Sequence, residues 1–282
     1  MNIHRGALSN SDKPIIFAKK MQTENNVEIM QPHNKIRILT LNMHKGFTAL
    51  NRRFILPELR EAVRTLSTDI VFLQEVHGTQ HEHAARFSNW PSTSQYEFLA
   101  DSMWPEYSYG RNAIYPHGDH GNALLSKFPI IRYQNLNVSI GRIEQRGLLH
   151  SVLRVPTGVP GDHKEVHAIC VHLGLRENHR RRQLEQLCQL VDALPATETI
   201  IIAGDFNDWR KRADAVLAGS GFKEAFVNEF GTSAKSFPAR FPLFCLDRVY
   251  VRNATTHNPE VLQRQPWSHL SDHAPLSVEI HL

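Results

Sequence analysis

From Lys35 onward the chain alternates short apolar runs with amphipathic stretches, and the two periods predict its elements. Lys35 to Leu41 alternates apolar and polar positions, a strand signature, and hands over to Asn42. Leu56, Leu59, Val63 and Leu66 recur on one helical stripe, with Pro57 suited to a helix start. Asp69 to Gln74 reads as a buried strand ending at Glu75. Thr79 to His120 follows neither period and is expected to be irregular, rich in aromatics and His. Asn122 to Ser126 returns to strand character, and Pro129 closes it. Residues 146–155 and 165–173 read as a strand pair around the Pro156–Asp162 loop. Leu184, Leu187, Val191 and Leu194 form the buried stripe of a helix over Asn178–Leu194, stopped by Pro195. Ile200 to Ala203 is a β-branched run, and Leu246–Val251 and Pro275–Ile280 are later strands. Strands joined partly by helices and partly by hairpins predict a mixed α/β (α+β) sheet protein with one continuous core over 35–282. Residues 1–34 are polar and mixed and read as a flexible leader, with Met21 and Met30 as alternative starts.

Composition narrows this picture modestly. The 282 residues suffice for one large domain or two small ones, and the apolar share of 41% is ordinary for a globular chain. A net charge of +4 is far weaker than that of a dedicated nucleic-acid binder. The three cysteines, Cys170, Cys188 and Cys245, have no metal-site spacing and are odd in number. That argues against a disulfide framework and for a reducing, cytoplasmic location, with Cys170 and Cys188 buried and inert. No run approaches the ~20 apolar residues of a membrane-spanning helix. Several of the 17 histidines, such as His81, His83 and His163, lie in polar stretches and read as solvated.

The candidate chemistry sits at the ends of the strands. Asn42, Glu75, His172, Asp205 with Asn207, Asp247 and the pair Asp272-His273 each follow, interrupt or precede an apolar run. In a strand-like continuation Asp205 and Asn207 would point the same way. Buried carboxylates are costly unless a metal or partner neutralises them, so repeated polar strand ends suggest convergence at one rim. Such a set suits metal-assisted attack of water on a phosphate ester. Carboxylates and an amide hold a hard cation. A His paired with an Asp moves or holds a proton. Further Asn and His donors stabilise phosphoryl oxygens. Taken singly, each residue also reads as a turn, a cap or a satisfied core group.

The ordered set resembles a known family. Leu41-Asn42, Leu73-Gln74-Glu75-Val76, Gly121-Asn122 through Pro129-Ile130, Val171-His172-Leu173, Gly204-Asp205-Phe206-Asn207, Leu246-Asp247-Arg248-Val249 and Ser271-Asp272-His273-Ala274-Pro275-Leu276 are similar to the motifs of the endonuclease/exonuclease/phosphatase (deoxyribonuclease-I-like) superfamily. Asn42-Met43-His44-Lys45-Gly46-Phe47 with Leu173-Gly174-Leu175-Arg176 further resembles its bacterial YbhP-like branch. The resemblance implies a four-layer sandwich of two mixed β-sheets flanked by helices. It implies Glu75 as the main Mg²⁺ ligand (Mn²⁺ a substitute), with Asn42 and Asp272 assisting. It also implies Asp205 as the group that orients or deprotonates water, and Asn207 and His172 on phosphate oxygens. His273 would contact the scissile phosphate, with Asp247 positioning its ring.

The expected partner is a phosphoester, with a lipid headgroup or small phosphoester ahead of nucleic acid. The paired cysteines of secreted deoxyribonucleases and the Trp-containing loops of abasic-site enzymes are missing. A non-catalytic binding protein on the same fold is the remaining alternative. Tyr109, Arg111, Asn122, Arg146 and Arg176 are candidate substrate contacts. Two basic clusters, Arg176 with His179 to Arg182 and Arg210 to Arg212, would attract an anion or cover a solvated face. The aromatic segment Met103–Asn112 reads as a loop that stacks bases, meets a membrane surface peripherally, or packs on its own core. Oligomeric state is not legible.

Overall fold

The computed structural model describes residues 35–282, apart from 50, 51, 102, 142, 143 and 158. The expected leader, 1–34, lies outside the described residues. The elements run β1 (Lys35–Asn42), α1 (Leu56–Thr65), β2 (Ile70–Gln80), α2 (His81–Arg86), α3 (Gln95–Ala100), β3 (Glu106–Tyr115), β4 (Gly118–Ser126), β5 (Ile130–Asn137), β6 (Gly147–Pro156), β7 (His163–His172), α4 (Glu177–Asp192), β8 (Thr199–Asp205), α5 (Arg212–Gly219), β9 (Lys223–Glu224), α6 (Ala225–Phe230), β10 (Asp247–Arg252), β11 (Thr255–Val261) and β12 (Leu276–His281).

The strands form two six-stranded sheets, ordered β11-β12-β1-β2-β4-β3 and β5-β6-β7-β8-β10-β9. Each is mixed: β1/β2 and β7/β8 are parallel, and the other pairs are antiparallel. Period-2 alternation splits the apolar residues into layers. Ile36, Ile38, Ile70, Phe72, Leu124, Ala168, Cys170, Ile201, Ala203 and Val249 share the core between the sheets. Leu39, Leu41, Val71 and Leu73 face outward with Leu56, Leu59 and Val63 of α1. Ile200 and Ile202 face outward with Leu184, Leu187 and Val191 of α4. This is the expected four-layer sandwich.

Several segments differ from their sequence pattern. Thr79–His120 is not irregular: it holds α2, α3, β3 and the start of β4. Helix α3 starts on a capping box between Ser94 and Glu97. β3 is an edge strand, so one flank is unpaired and its alternation is weak. The aromatic segment Met103–Asn112 is therefore largely strand. Trp104 is buried and donates through Nε1 to the Thr68 carbonyl at 3.0 Å, and Tyr109 stacks on Tyr96 at 4.6 Å. His83 is half-buried against Phe47, Phe87 and Trp90, not solvated. Of the thiols, Cys170 is buried and burial pushes it up to about 12, while Cys188 is only half-buried.

Candidate active site

The parallel pairs decide where the polar strand ends meet. β1 and β2 run the same way, as do β7 and β8, so Asn42 ends β1 opposite Gln74 of β2, and His172 and Asp205 end their strands in register. β10 runs back against β8 and starts at the same level, pairing Asp247 with Asp205. β12 runs back against β1, with Thr40 opposite Leu276, which brings Asp272 and His273 to that rim. Parity then sets direction. Asn42 is in phase with Ile36 and Ile38, His172 with Ala168 and Cys170, Asp205 with Ile201 and Ala203, and Asp247 with Val249. All four therefore face the seam between the sheets.

Glu75 breaks this parity. Its phase matches Val71 and Leu73, which face outward. A β-bulge lies between Leu73 and Val76, and Glu75 takes φ +55 there. Strand β2 continues to Gln80, so Glu75 is a bulge residue within a strand and not its end. The bulge re-aims the carboxylate toward His172, Lys45, His44 and His120. Asn207 also departs from strand geometry, with φ +52. Its N–H donates to Asp205 Oδ1 at 2.8 Å and its Nδ2 to the Leu173 carbonyl at 3.0 Å. A side-chain turn, not strand periodicity, thus brings Asp205 and Asn207 together.

Around Asp205 the contacts are dense. Asn42 Nδ2 donates to its Oδ2 at 3.2 Å. His172 Nε2 and His273 Nε2 stand 3.6 and 3.8 Å from the same oxygen. His273 Nδ1 lies 2.8 Å from Asp247 Oδ2, which fixes Nδ1 as the donor and aims Nε2 toward Asp205. Ser271 Oγ donates to the Asn42 carbonyl at 2.6 Å and accepts the His273 N–H at 3.2 Å, tying the last loop to β1. Among the described residues, Asp247 Oδ1 is buried without a donor.

The protonation states separate sharply. Burial, helped by the charges of Arg146 and His273, pushes His172 well below the usual imidazole range. Burial acts the same way on His273, but Asp247 and Asp205 outweigh it and raise its pKa. Burial raises Asp205 above the usual carboxylate range, against the pull of His273. Burial would also raise Glu75, yet His172, Lys45, His44 and His120 together hold it down to about 2. At neutral pH this leaves one neutral His, one cationic His and an ionised Glu75 at a single rim.

The other candidates divide. Arg146 donates through Nε to the Leu173 carbonyl at 3.3 Å and adds positive charge beside His172 and His120. Asn122 is fully buried and donates to the Gly147 and Cys170 carbonyls, so it ties β4 to β6 and β7. Tyr109 donates to Asp119 Oδ1 at 2.6 Å, and Arg111 pairs with the same oxygen at 3.6 Å. Arg176 is exposed where α4 begins. The sequence reading missed His44, Lys45 and His120. Lys45 Nζ stands 3.7 Å from Glu75 Oε2, and His44 Nδ1 stands 3.8 Å from Asp272 Oδ1. Both have positive φ, an uncommon conformation for non-glycine residues that points to a positional demand. The signal available was their place between Asn42 and Gly46, inside a quoted motif.

A model described as "Endonuclease/Exonuclease/phosphatase family" matches residues 39–273. The chain belongs to this family. Its members are phosphoric ester hydrolases. The chain is 55% identical to the uncharacterized protein YbhP of Escherichia coli over 248 residues, covering 87% of this chain and 96% of that one. Among solved structures, the mannosyl-6-phosphatase of Bacteroides thetaiotaomicron superposes with a TM-score of 0.63 at 16% identity, covering 88% of this chain and 100% of that one. TDP2 of D. rerio, complexed with a single strand DNA product, superposes with a TM-score of 0.61 at 17% identity, covering 88% and 99%. These likenesses bear out the fold.

Proposed function

We propose that the protein is a Mg²⁺-dependent phosphodiesterase that hydrolyses its substrate by in-line attack of water. The observation that carries this reading is the array Asp205, His273 and Asp247, buried at one rim opposite neutral His172 and beside ionised Glu75. Burial pushes His172 down while Asp247 and Asp205 raise His273, so the two imidazoles at this rim differ in charge and can serve different roles.

The donor set fits a hard divalent cation. Glu75 is ionised and, among the described residues, its carboxylate accepts no hydrogen bond. Asp272 is partly open, and Asn42 adds an amide oxygen. These three residues would hold the ion, whose chemistry is Lewis-acid stabilisation of the phosphoryl oxygens, with Mn²⁺ as a substitute. Asp205, Asp247 and His273 also bring ligand atoms within 4.8 Å of one another. We assign that trio to proton handling, because His273 Nδ1 is committed to Asp247.

Each residue then has a chemical task. Asp205, with its raised pKa, is a better base than an ordinary carboxylate and takes the proton of the attacking water. His273, kept protonated by Asp247, presents Nε2–H to the phosphate and stabilises its developing charge. His172 and the remaining amide N–H of Asn207 bind the other phosphoryl oxygens. Arg146 adds positive potential at their side.

The test compares bis-p-nitrophenyl phosphate, the corresponding monoester and plasmid DNA, with Mg²⁺, with Mn²⁺ and after chelation. Diester cleavage abolished by chelator and restored by Mg²⁺ is expected. Monoester-only cleavage would make the protein a phosphatase, and plasmid cutting with strong salt dependence would favour a nuclease. Turnover unaffected by chelation would contradict the metal assignment.

A further inference from the structure

Residues 230–246 contain four of the fourteen Phe, both Lys235 and Arg240, and no Asp or Glu. Part of this segment closes as a tight hairpin. Phe237 and Phe244 form an antiparallel bridge. The N–H groups of Leu243 and Phe244 donate to the Phe237 carbonyl at 2.8 Å, and that of Phe241 donates to the Pro238 carbonyl at 3.0 Å. Apolar side chains near a core normally turn inward. Here they do not: Phe241 is 71% exposed, Leu243 52% and Phe244 47%. Lys235 and Arg240 are exposed beside them.

The base of the hairpin is fastened to the rim of the site. The Ala239 N–H donates to the Asp272 carbonyl at 2.7 Å, and the Ala274 N–H donates to the Ser236 carbonyl at 2.8 Å. Ser236 Oγ accepts the Asp247 N–H at 3.2 Å. The Phe237 ring lies 4.9 Å from the His273 imidazole. A similar pairing of apolar and cationic residues recurs on the loops that carry other site groups. Leu175 is 60% exposed two residues past Leu173, whose carbonyl holds Asn207 and Arg146, and Arg176 follows it. Trp209 is 47% exposed two residues past Asn207, followed by Arg210 and Lys211. Glu177 pairs with Arg210 and Arg212 and offsets part of that charge.

We propose that this hairpin docks the catalytic mouth onto an anionic phospholipid surface, so that the substrate is a phosphodiester carried by a membrane lipid. Exposed aromatic and aliphatic tips with flanking cations match the boundary between headgroups and acyl chains, where apolar burial and attraction to anionic lipid add. Grouped exposed apolar side chains mark an interaction site more often than a solvated face. Charge complementarity selects the occupant: the segment has two cations and no acid, and the chain has a net charge of +4. Among the described residues no helix is long and apolar enough to cross a membrane, so the contact is peripheral. The substrate assignment rests on the phosphodiesterase reading, whereas the docking does not.

The experiment is co-sedimentation of the full chain with vesicles of phosphatidylethanolamine and phosphatidylglycerol, beside pure phosphatidylcholine, at low and high salt. We expect binding to the anionic vesicles, weakened by salt and by phosphatidylcholine. The double variant Phe241→Ser with Leu243→Ser should lose that binding by roughly tenfold or more while keeping wild-type turnover of bis-p-nitrophenyl phosphate. Both side chains are exposed, so the fold should tolerate the change. No binding to anionic vesicles, or equal binding by the variant, would overturn the proposal. So would self-association that the variant abolishes, or single-stranded DNA binding that it abolishes while vesicles are ignored. A protein that cleaves the soluble diester but ignores vesicles refutes the docking alone. One that binds vesicles but cleaves nothing refutes the phosphodiesterase reading alone.

Discussion

His172 and His273 are the same residue type at one rim, yet their environments drive them to opposite protonation states. His172 stands 3.6 Å from Asp205 but loses its proton to burial and to the charge of Arg146. His273 keeps its proton because Asp247 hydrogen-bonds its Nδ1 and Asp205 faces its Nε2. A second buried carboxyl gives a residue-scale prediction away from the site. Glu224 caps α6 by accepting the Val227 N–H at 2.7 Å, and burial pushes it up to about 7 despite that bond and the nearby Arg248 charge. The folded chain therefore holds this proton more tightly than the unfolded chain. The corresponding stability is complete below pH 4.5 and is lost as pH rises toward about 7. Glu224→Gln keeps the cap without the charge. It should match wild type near pH 4 and exceed it at pH 8 by up to about 3 kcal/mol, read by urea unfolding at both pH values. Parallel pH profiles for the two proteins would remove Glu224 as a titrating group.

At the scale of elements, the site depends on where strands stop and where one of them bulges. Gly204 immediately precedes Asp205 in β8, and a Cβ there would lie 2.0 Å from the Val171 carbonyl oxygen of β7. Its φ of +147 disfavours any other residue too. Gly204→Ala should therefore cost about 3 kcal/mol or more and separate β7 from β8, dragging His172 away from Asp205. A thermal melt within a degree or two of wild type would contradict this. Strands whose alternation faces a core on both sides, such as Ile200–Ala203, were legible from sequence because burial leaves no freedom of composition. Edge strands β3, β5 and β11 were not, since half-exposed faces tolerate mixed residues, even Pro259 in β11. The motif named Glu75, but regular alternation would have turned it to the wrong face. Only the bulge, which no local pattern announces, brings it round. His44 and Lys45 were hidden for a related reason: their position comes from positive φ, not from periodicity.

At the scale of the molecule, two mixed sheets pack face to face so that their polar strand ends share one edge of the seam. Neither sheet holds the set alone. Asn42, Glu75, Asp272 and His273 belong to the sheet of β1, β2 and β12 or its loops, and His172, Asp205 and Asp247 to that of β7, β8 and β10. On the proposed reading these groups act as one unit, and groups that act as one unit are not additive. The most direct measurement is kcat/KM for bis-p-nitrophenyl phosphate with saturating Mg²⁺ in wild type, Glu75→Ala, His273→Ala and the double variant, with circular dichroism to verify folding. Each single change should lower the value by roughly a thousandfold or more, and the double change should cost little beyond the worse single one. Full activity in either folded single variant, or losses that simply multiply in the double, would contradict a single catalytic centre in which Glu75 and His273 act together.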